Sequence, residues 1–152
     1  MKRNAIGFAI ALACVGCGKT PPDPSSMTMG HKLAELVFDR NMESSAPEVV
    51  ETERVLAAAS KVMIEPGDKL ADQAWYFTKE LRKDGIRESG IDALEVCTRV
   101  AEKLGEQVDF ASCGPHYVVS RHSGMSHTDA TLGMVGLARA AKALKSKAQQ
   151  KN

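Results

Sequence analysis

Apolar residues recur every three to four positions along most of this chain, and helix start and stop signals cut the pattern into segments. A first helix is expected over about 28–42, with Met29, Leu33, Leu36 and Val37 on one stripe and Gly30 as a weak point. Ser45-Ala46-Pro47-Glu48 reads as a capping box opening a second helix, about 46–64, which carries Val55, Ala58, Ala59, Val62 and Met63. Pro66-Gly67 stops it. Asp68 is expected to cap a third helix running to about 84, with Leu70, Ala74, Phe77 and Leu81 in line and Gly85 beyond its end. Ser89 opens a fourth helix to Leu104, with Ala93, Cys97, Val100, Ala101 and Leu104 buried and Gly105 closing it. The last, about 127–147, follows a cap-like Ser126-His127-Thr128-Asp129 and offers Ala130, Met134, Leu137, Ala141 and Leu144. Between the last two lies an irregular stretch, 106–125. There Val108 and Phe110 anchor a turn, Gly114-Pro115 breaks the chain, and Tyr117-Val118-Val119 reads as a short strand or a helical turn. The expectation is an all-α fold, a small bundle of about five amphipathic helices. Small residues on the stripes (Ala58, Ala59, Ala74, Gly133, Ala141) point to close helix approach. No period of 20–50 residues recurs, so the chain is not a solenoid.

The first 27 residues follow a different pattern. Lys2 and Arg3 precede an uncharged apolar run of 11 residues, 5–15, and small residues follow it. This is the three-part layout of a secretory signal, too short for a bilayer core that needs roughly 20 residues. Lys19-Thr20-Pro21-Pro22-Asp23-Pro24-Ser25-Ser26 can neither continue a helix nor bury itself. Gly18-Lys19-Thr20 has the letters that end a phosphate-binding loop. That motif needs a glycine at position 13, where Ala13 stands, and a helix beginning at the lysine, where prolines follow instead. No nucleotide site is expected.

Cys14-Val15-Gly16-Cys17 resembles the lipobox of bacterial lipoproteins, a small residue followed by the cysteine that is joined to diacylglycerol. Position 14 departs from that pattern, carrying Cys where Leu is usual, and a second frame would end on Cys14. The resemblance covers about 20 residues and implies a signal peptide 1–16, acylation (diacylglycerol and palmitate-type chains) at Cys17, a tether 17–27, and a helical domain 28–152. Gly18 lacks the aspartate that signals inner-membrane retention, which favours an outer-membrane location facing the periplasm. Two or three acyl chains hold a protein lastingly, because each buried CH₂ contributes roughly 0.8 kcal/mol. No further cofactor is expected.

Composition then narrows the function. Hydrophobic content of 43% and charged content of 26% suit one globular domain in 152 residues. Removing Lys2 and Arg3 from 20 basic residues leaves 18 against 19 acidic, a balance of −1. With aromatics at 5%, neither the electrostatic footprint nor the stacking platform of a nucleic-acid binder is present. Two cysteines remain after Cys17 is modified, Cys97 and Cys113. An even count in an oxidising compartment predicts one disulfide between them, tying the 106–125 stretch to the fourth helix.

Candidate chemistry concentrates in 116–129, which holds three of the four histidines. His122, Met125 and His127, with Met27, Met29 and His31, form the weak case for a copper site, since thioether and imidazole suit Cu(I). Ser123, His127 and Asp129 form the equally weak case for a hydrolase; no G-x-S-x-G elbow accompanies them. Trp75 and Tyr76 fall off the third helix's stripe, and with His116, Tyr117, Arg121 and His122 they make a candidate interaction surface. Arg139, Lys142, Lys145, Lys147 and Lys151 complement the last helix's dipole or meet a membrane or partner. The leading expectation is a non-enzymatic, membrane-anchored module that binds an unidentified protein, of the inhibitor, immunity, exclusion or assembly-helper kind.

Overall fold

The computed structural model describes residues 26–149. The signal segment 1–16, Cys17, most of the tether and Lys151 lie outside the described residues. Six helices follow in order: α1 Met29–Phe38, α2 Pro47–Ala59, α3 Gly67–Lys83, α4 Gly90–Leu104, α5 Phe110–His122 and α6 His127–Gln149. The chain is all-α, with one disulfide. Its described residues have no strand beyond a single bridge, Met63 to Val108.

α4 is the centre of the bundle and packs on α2, α3, α5 and α6, while α1 lies across α2 and α3. The expected stripes of α3 and α4 are buried: Leu70, Ala74, Phe77 and Leu81 on one, Ala93, Cys97 and Ala101 on the other. Close approach of these two helices depends on Gly90, because a Cβ there would sit 1.7 Å from the Ala74 carbonyl oxygen. Ser89 caps α4 through a capping box with Asp92, and Gly105 ends it in the left-handed region at φ 75°.

Several sequence expectations shift. In α1 the buried face is Gly30, His31, Leu33, Ala34 and Val37; Met29 and Leu36 are exposed. His31 is drawn inside because its Nε2–H donates to the Met42 carbonyl at 3.0 Å, while Glu35 accepts the Met42 N–H at 2.8 Å. Together they hold the α1–α2 connection. α2 starts at Pro47 with Ala46 as its N-cap, so Ser45 falls outside the helix and no capping box forms; Glu48 turns to Arg40 instead. α3 starts at Gly67, which puts Asp68 inside the first turn, beside the helix's positive end, and leaves Pro66 as the cap.

The largest correction is the 106–125 stretch, which contains a sixth helix. Two carboxylates nucleate α5. Asp109 accepts the Ala111 N–H at 3.0 Å, and Glu65, from the α2–α3 connection, accepts the Phe110 and Ala111 N–H groups at 3.0 and 2.9 Å. Pro115 is tolerated on the exposed side, with Ala111, whose i+4 donor it removes, exposed beside it. Inward, Phe110, Cys113, Gly114, Tyr117 and Val118 are buried. Phe110 meets Phe77 edge-to-face with ring centroids 5.2 Å apart. The Cys97–Cys113 bond, with Cα atoms 6.0 Å apart, fixes α5 to α4 as the sequence led one to expect. Burial of the α5 face outweighs the broken helix pattern.

Candidate functional site: an apolar trough between α5 and α6

α6 starts from a cap in which Ser126 Oγ accepts the Asp129 N–H at 3.0 Å and donates to Asp129 Oδ2 at 2.6 Å. From Ala130 to Ala141 its only polar side chains are Thr131 and Arg139. A helix that apolar around its circumference is ordinarily buried. Here only Ala130, Thr131 and Ala138 are. Leu132 is 65% exposed, Leu137 74% and Leu144 68%. The expected stripe of Ala130, Met134, Leu137, Ala141 and Leu144 therefore splits: its first half packs on α4 and its second faces outward.

Helix length is the reason. At 1.5 Å per residue, the 23 residues of α6 extend about 34 Å, against about 22 Å for α4 and about 20 Å for α5. The C-terminal half of α6 outruns its neighbours and is held by the Lys145–Glu106 ion pair at 2.7 Å. Between α5 and α6 this leaves a trough of about 590 Å³. Val100, Leu104, Met134 and the Cys113 side chain form its floor, while Val119 and Leu137 stand on opposing walls. His116 and Ser120 are the polar notes on the α5 wall, and Met125, half exposed, closes one end.

No charged side chain lines the trough, although the charge of the two helices that wall it is one-sided. Residues 110–149 contain a single carboxylate, Asp129, against Arg121, Arg139, Lys142, Lys145 and Lys147. Arg121 is spent on Glu88 at 2.7 Å and Lys145 on Glu106. Burial raises the Glu88 carboxyl, yet the hydrogen bond and charge of Arg121 hold it below its ordinary value. Among the described residues no ion pair engages Arg139, Lys142 or Lys147.

The four α5 residues of the expected surface face different ways. His116 lines the trough. Tyr117 is fully buried and belongs to no surface: it lies on the core face of α5, where its hydroxyl donates to His127 Nδ1 at 2.8 Å. Burial foremost, then the charges of Asp92 and Glu88, push that phenol well above its usual range, so it stays protonated. Arg121 and His122 turn to the α3–α4 connection, pairing with Glu88 and Asp84. Trp75 packs on the core beneath Lys79 and Arg82, 5.7 and 5.8 Å from its ring, and Tyr76 stands half exposed on α3. α3 does not touch α6, so Trp75 and Tyr76 form no common patch with the trough.

The other chemical candidates are scattered. His122 is held by Asp84, His127 by Tyr117, and Met125 lies on the trough rim. Among the described residues no group of three or more His, Cys, Asp or Glu is placed to hold a metal. Ser123 donates to the Ser120 carbonyl at 2.7 Å, and Asp129 is bound to Ser126, so neither reaches His127 as a triad would require. Sequence reading missed the trough itself. Its signal was the apolar circumference of α6. No protein-family model, no curated protein and no solved structure matches this chain.

Proposed function

We propose that this chain is a protein-binding module of the bacterial cell envelope, anchored through acylated Cys17 to the outer membrane and facing the periplasm. In this role it serves as an inhibitor, immunity or exclusion factor, or assembly helper. The trough between α5 and α6 is its binding site. One observation carries the reading: large apolar side chains that a monomer has every reason to bury, Leu137 and Leu144, stand exposed beside a concave apolar floor. The anchor is supported by the lipobox resemblance at Cys17. Among the described residues no helix is long and apolar enough to cross a membrane.

The test combines two variants. Leu137→Asp changes an exposed position, so melting shifts by no more than about 0.5 kcal/mol in stability, while a specific protein crosslinked and retrieved from membranes by the unaltered chain is lost. Retrieval that Leu137→Asp leaves intact contradicts the binding site. Cys17→Ser releases the chain from membranes and removes the lipid mass; a variant that stays membrane-bound contradicts the anchor.

A further inference from the structure

We infer that the outer face of α6 pairs with the same face of a second copy of this chain. The two helices run antiparallel about a two-fold axis at the level of Ala138. The inference goes beyond the protein-binding reading above and does not rest on it, because this face lies beside the trough rather than in it.

The face is exposed and apolar between two charged ends. At 3.6 residues per turn, Asp129, Gly136, Ala140, Ala143 and Lys147 fall within about 60° of one another around α6, roughly opposite the buried Ala130, Thr131 and Ala138. All five are exposed. Leu132 and Leu144, 65% and 68% exposed, stand on the two edges of the face. A Cβ built at Gly133 or Gly136 meets no atom within 4 Å, so no described residue covers the surface there.

Spacing and charge then select the occupant. Asp129 and Lys147 each lie nine residues from Ala138, so an antiparallel copy sets the carboxylate of one chain against the ammonium of the other, twice. Gly136 and Ala140, two residues to either side of Ala138, meet across the axis. Leu132 falls on the other copy's Ala143 and Leu144 on its Gly133, so each large side chain meets a small one. Among the described residues Lys147 has no ion pair, and the Asp129 carboxylate is engaged through Oδ2, by Ser126.

A parallel pair would set Lys147 against Lys147 and Asp129 against Asp129, which like-charge repulsion disfavours. Arg139 of both copies comes to one outer flank of the antiparallel pair, where its long side chain extends into water. Self-matching about a single point is what an isologous interface requires, and neither a bilayer nor an unrelated partner has use for it. A contact one helix wide is small for a specific interface, so the dimer should be weak, with a Kd on the order of 10 µM.

The test reads the ion pair itself. The full chain is expressed in bacterial cells in ordinary and heavy-isotope media, purified in mild detergent, and mixed at on the order of 100 µM. A zero-length carbodiimide then joins carboxylates to the amines they touch. Asp129 and Lys147 are about 27 Å apart along one helix, so a peptide joining them comes from two chains. The expected adduct is Asp129–Lys147, with light and heavy halves combined. Gly136→Leu fills the position where the helices touch, and should cut the yield of that adduct at least about tenfold. Its melting temperature should stay equal or rise, because leucine is the better helix former. Absence of a mixed Asp129–Lys147 adduct overturns the inference, as does a yield that Gly136→Leu leaves unchanged. Mixed adducts that join Lys147 to other carboxylates in preference to Asp129 mark a different contact and also overturn it. Protein retrieval through the trough is a separate readout, so either reading can fail while the other stands.

Discussion

Reducing the Cys97–Cys113 bond isolates one contribution to this fold without changing the sequence. The bond closes a loop with a sequence separation of 16 and joins the central helix to the helix that sequence reasoning finds hardest to place. In the chain-entropy model, freeing a loop of that size lets the unfolded chain regain about 3 kcal/mol. Both sulfurs are buried, so the native packing around them changes little on reduction. A loss of that size is a large share of the stability of a domain this small. With an unfolding entropy of about 2.1 cal/mol/K per residue over the described domain, the melting temperature should fall by about 12 °C. Denaturant titration of oxidised and reduced protein, followed by circular dichroism at equal pH, reads the same difference as a shift in midpoint. α5 should lose amide protection first, because without the disulfide only its capping carboxylates and the packing of its inner face hold it. A reduced protein within about 1 kcal/mol of the oxidised one, or one whose α5 amides stay as protected as those of α4, would refute this reasoning.

Gly90→Ala should cost about 3 kcal/mol or more in denaturant unfolding, because the new methyl meets the Ala74 carbonyl and forces α3 from α4. A cost under 1 kcal/mol would contradict the close approach. Glu65→Ala should cost about 1 kcal/mol by leaving the Phe110 N–H without its acceptor, and should raise hydrogen exchange at Phe110 more than at Ala111, which keeps Asp109. Acid should act on the same helix end. The Ser112 hydroxyl foremost, with the backbone N–H groups of Ala111 and Ser112, holds the Asp109 carboxyl below its ordinary value. A carboxyl lowered by folding stabilises the fold above its unfolded value of about 4, and that help is lost as pH falls through the folded value. Exchange at the start of α5 should therefore speed up below about pH 4, and Asp109→Asn should flatten that dependence.

α3 and α4 were legible in the sequence because period, cap and stop agree there. Leu70, Ala74, Phe77 and Leu81 repeat cleanly, and Ser89 and Gly105 bracket α4. α5 was not, because what makes it a helix lies elsewhere in the chain: Glu65 is 45 residues from Phe110, and Phe77 and Cys97 receive its inner face. The caps of α2 and α3 were misplaced by a residue or two since Pro47 and Gly67 enter the helix themselves. The disulfide was legible from the cysteine count and from the oxidising compartment that the lipobox resemblance implies. The trough depended on relative helix length and on what fails to cover α6, and neither is written in the period of one helix. The apolar stripe of α6 was visible, but not which of its residues would go without a partner.

The account turns on α6 being an occupied surface in the cell rather than a bare one. A photo-crosslinking residue placed at Leu137, in the full chain expressed in bacterial cells, asks this directly; Val50, half exposed on α2 and remote from α5 and α6, is the matched control. The account predicts a discrete protein adduct from position 137 and none from position 50. Equal labelling from both positions, or adducts from 137 to lipid alone, would contradict it.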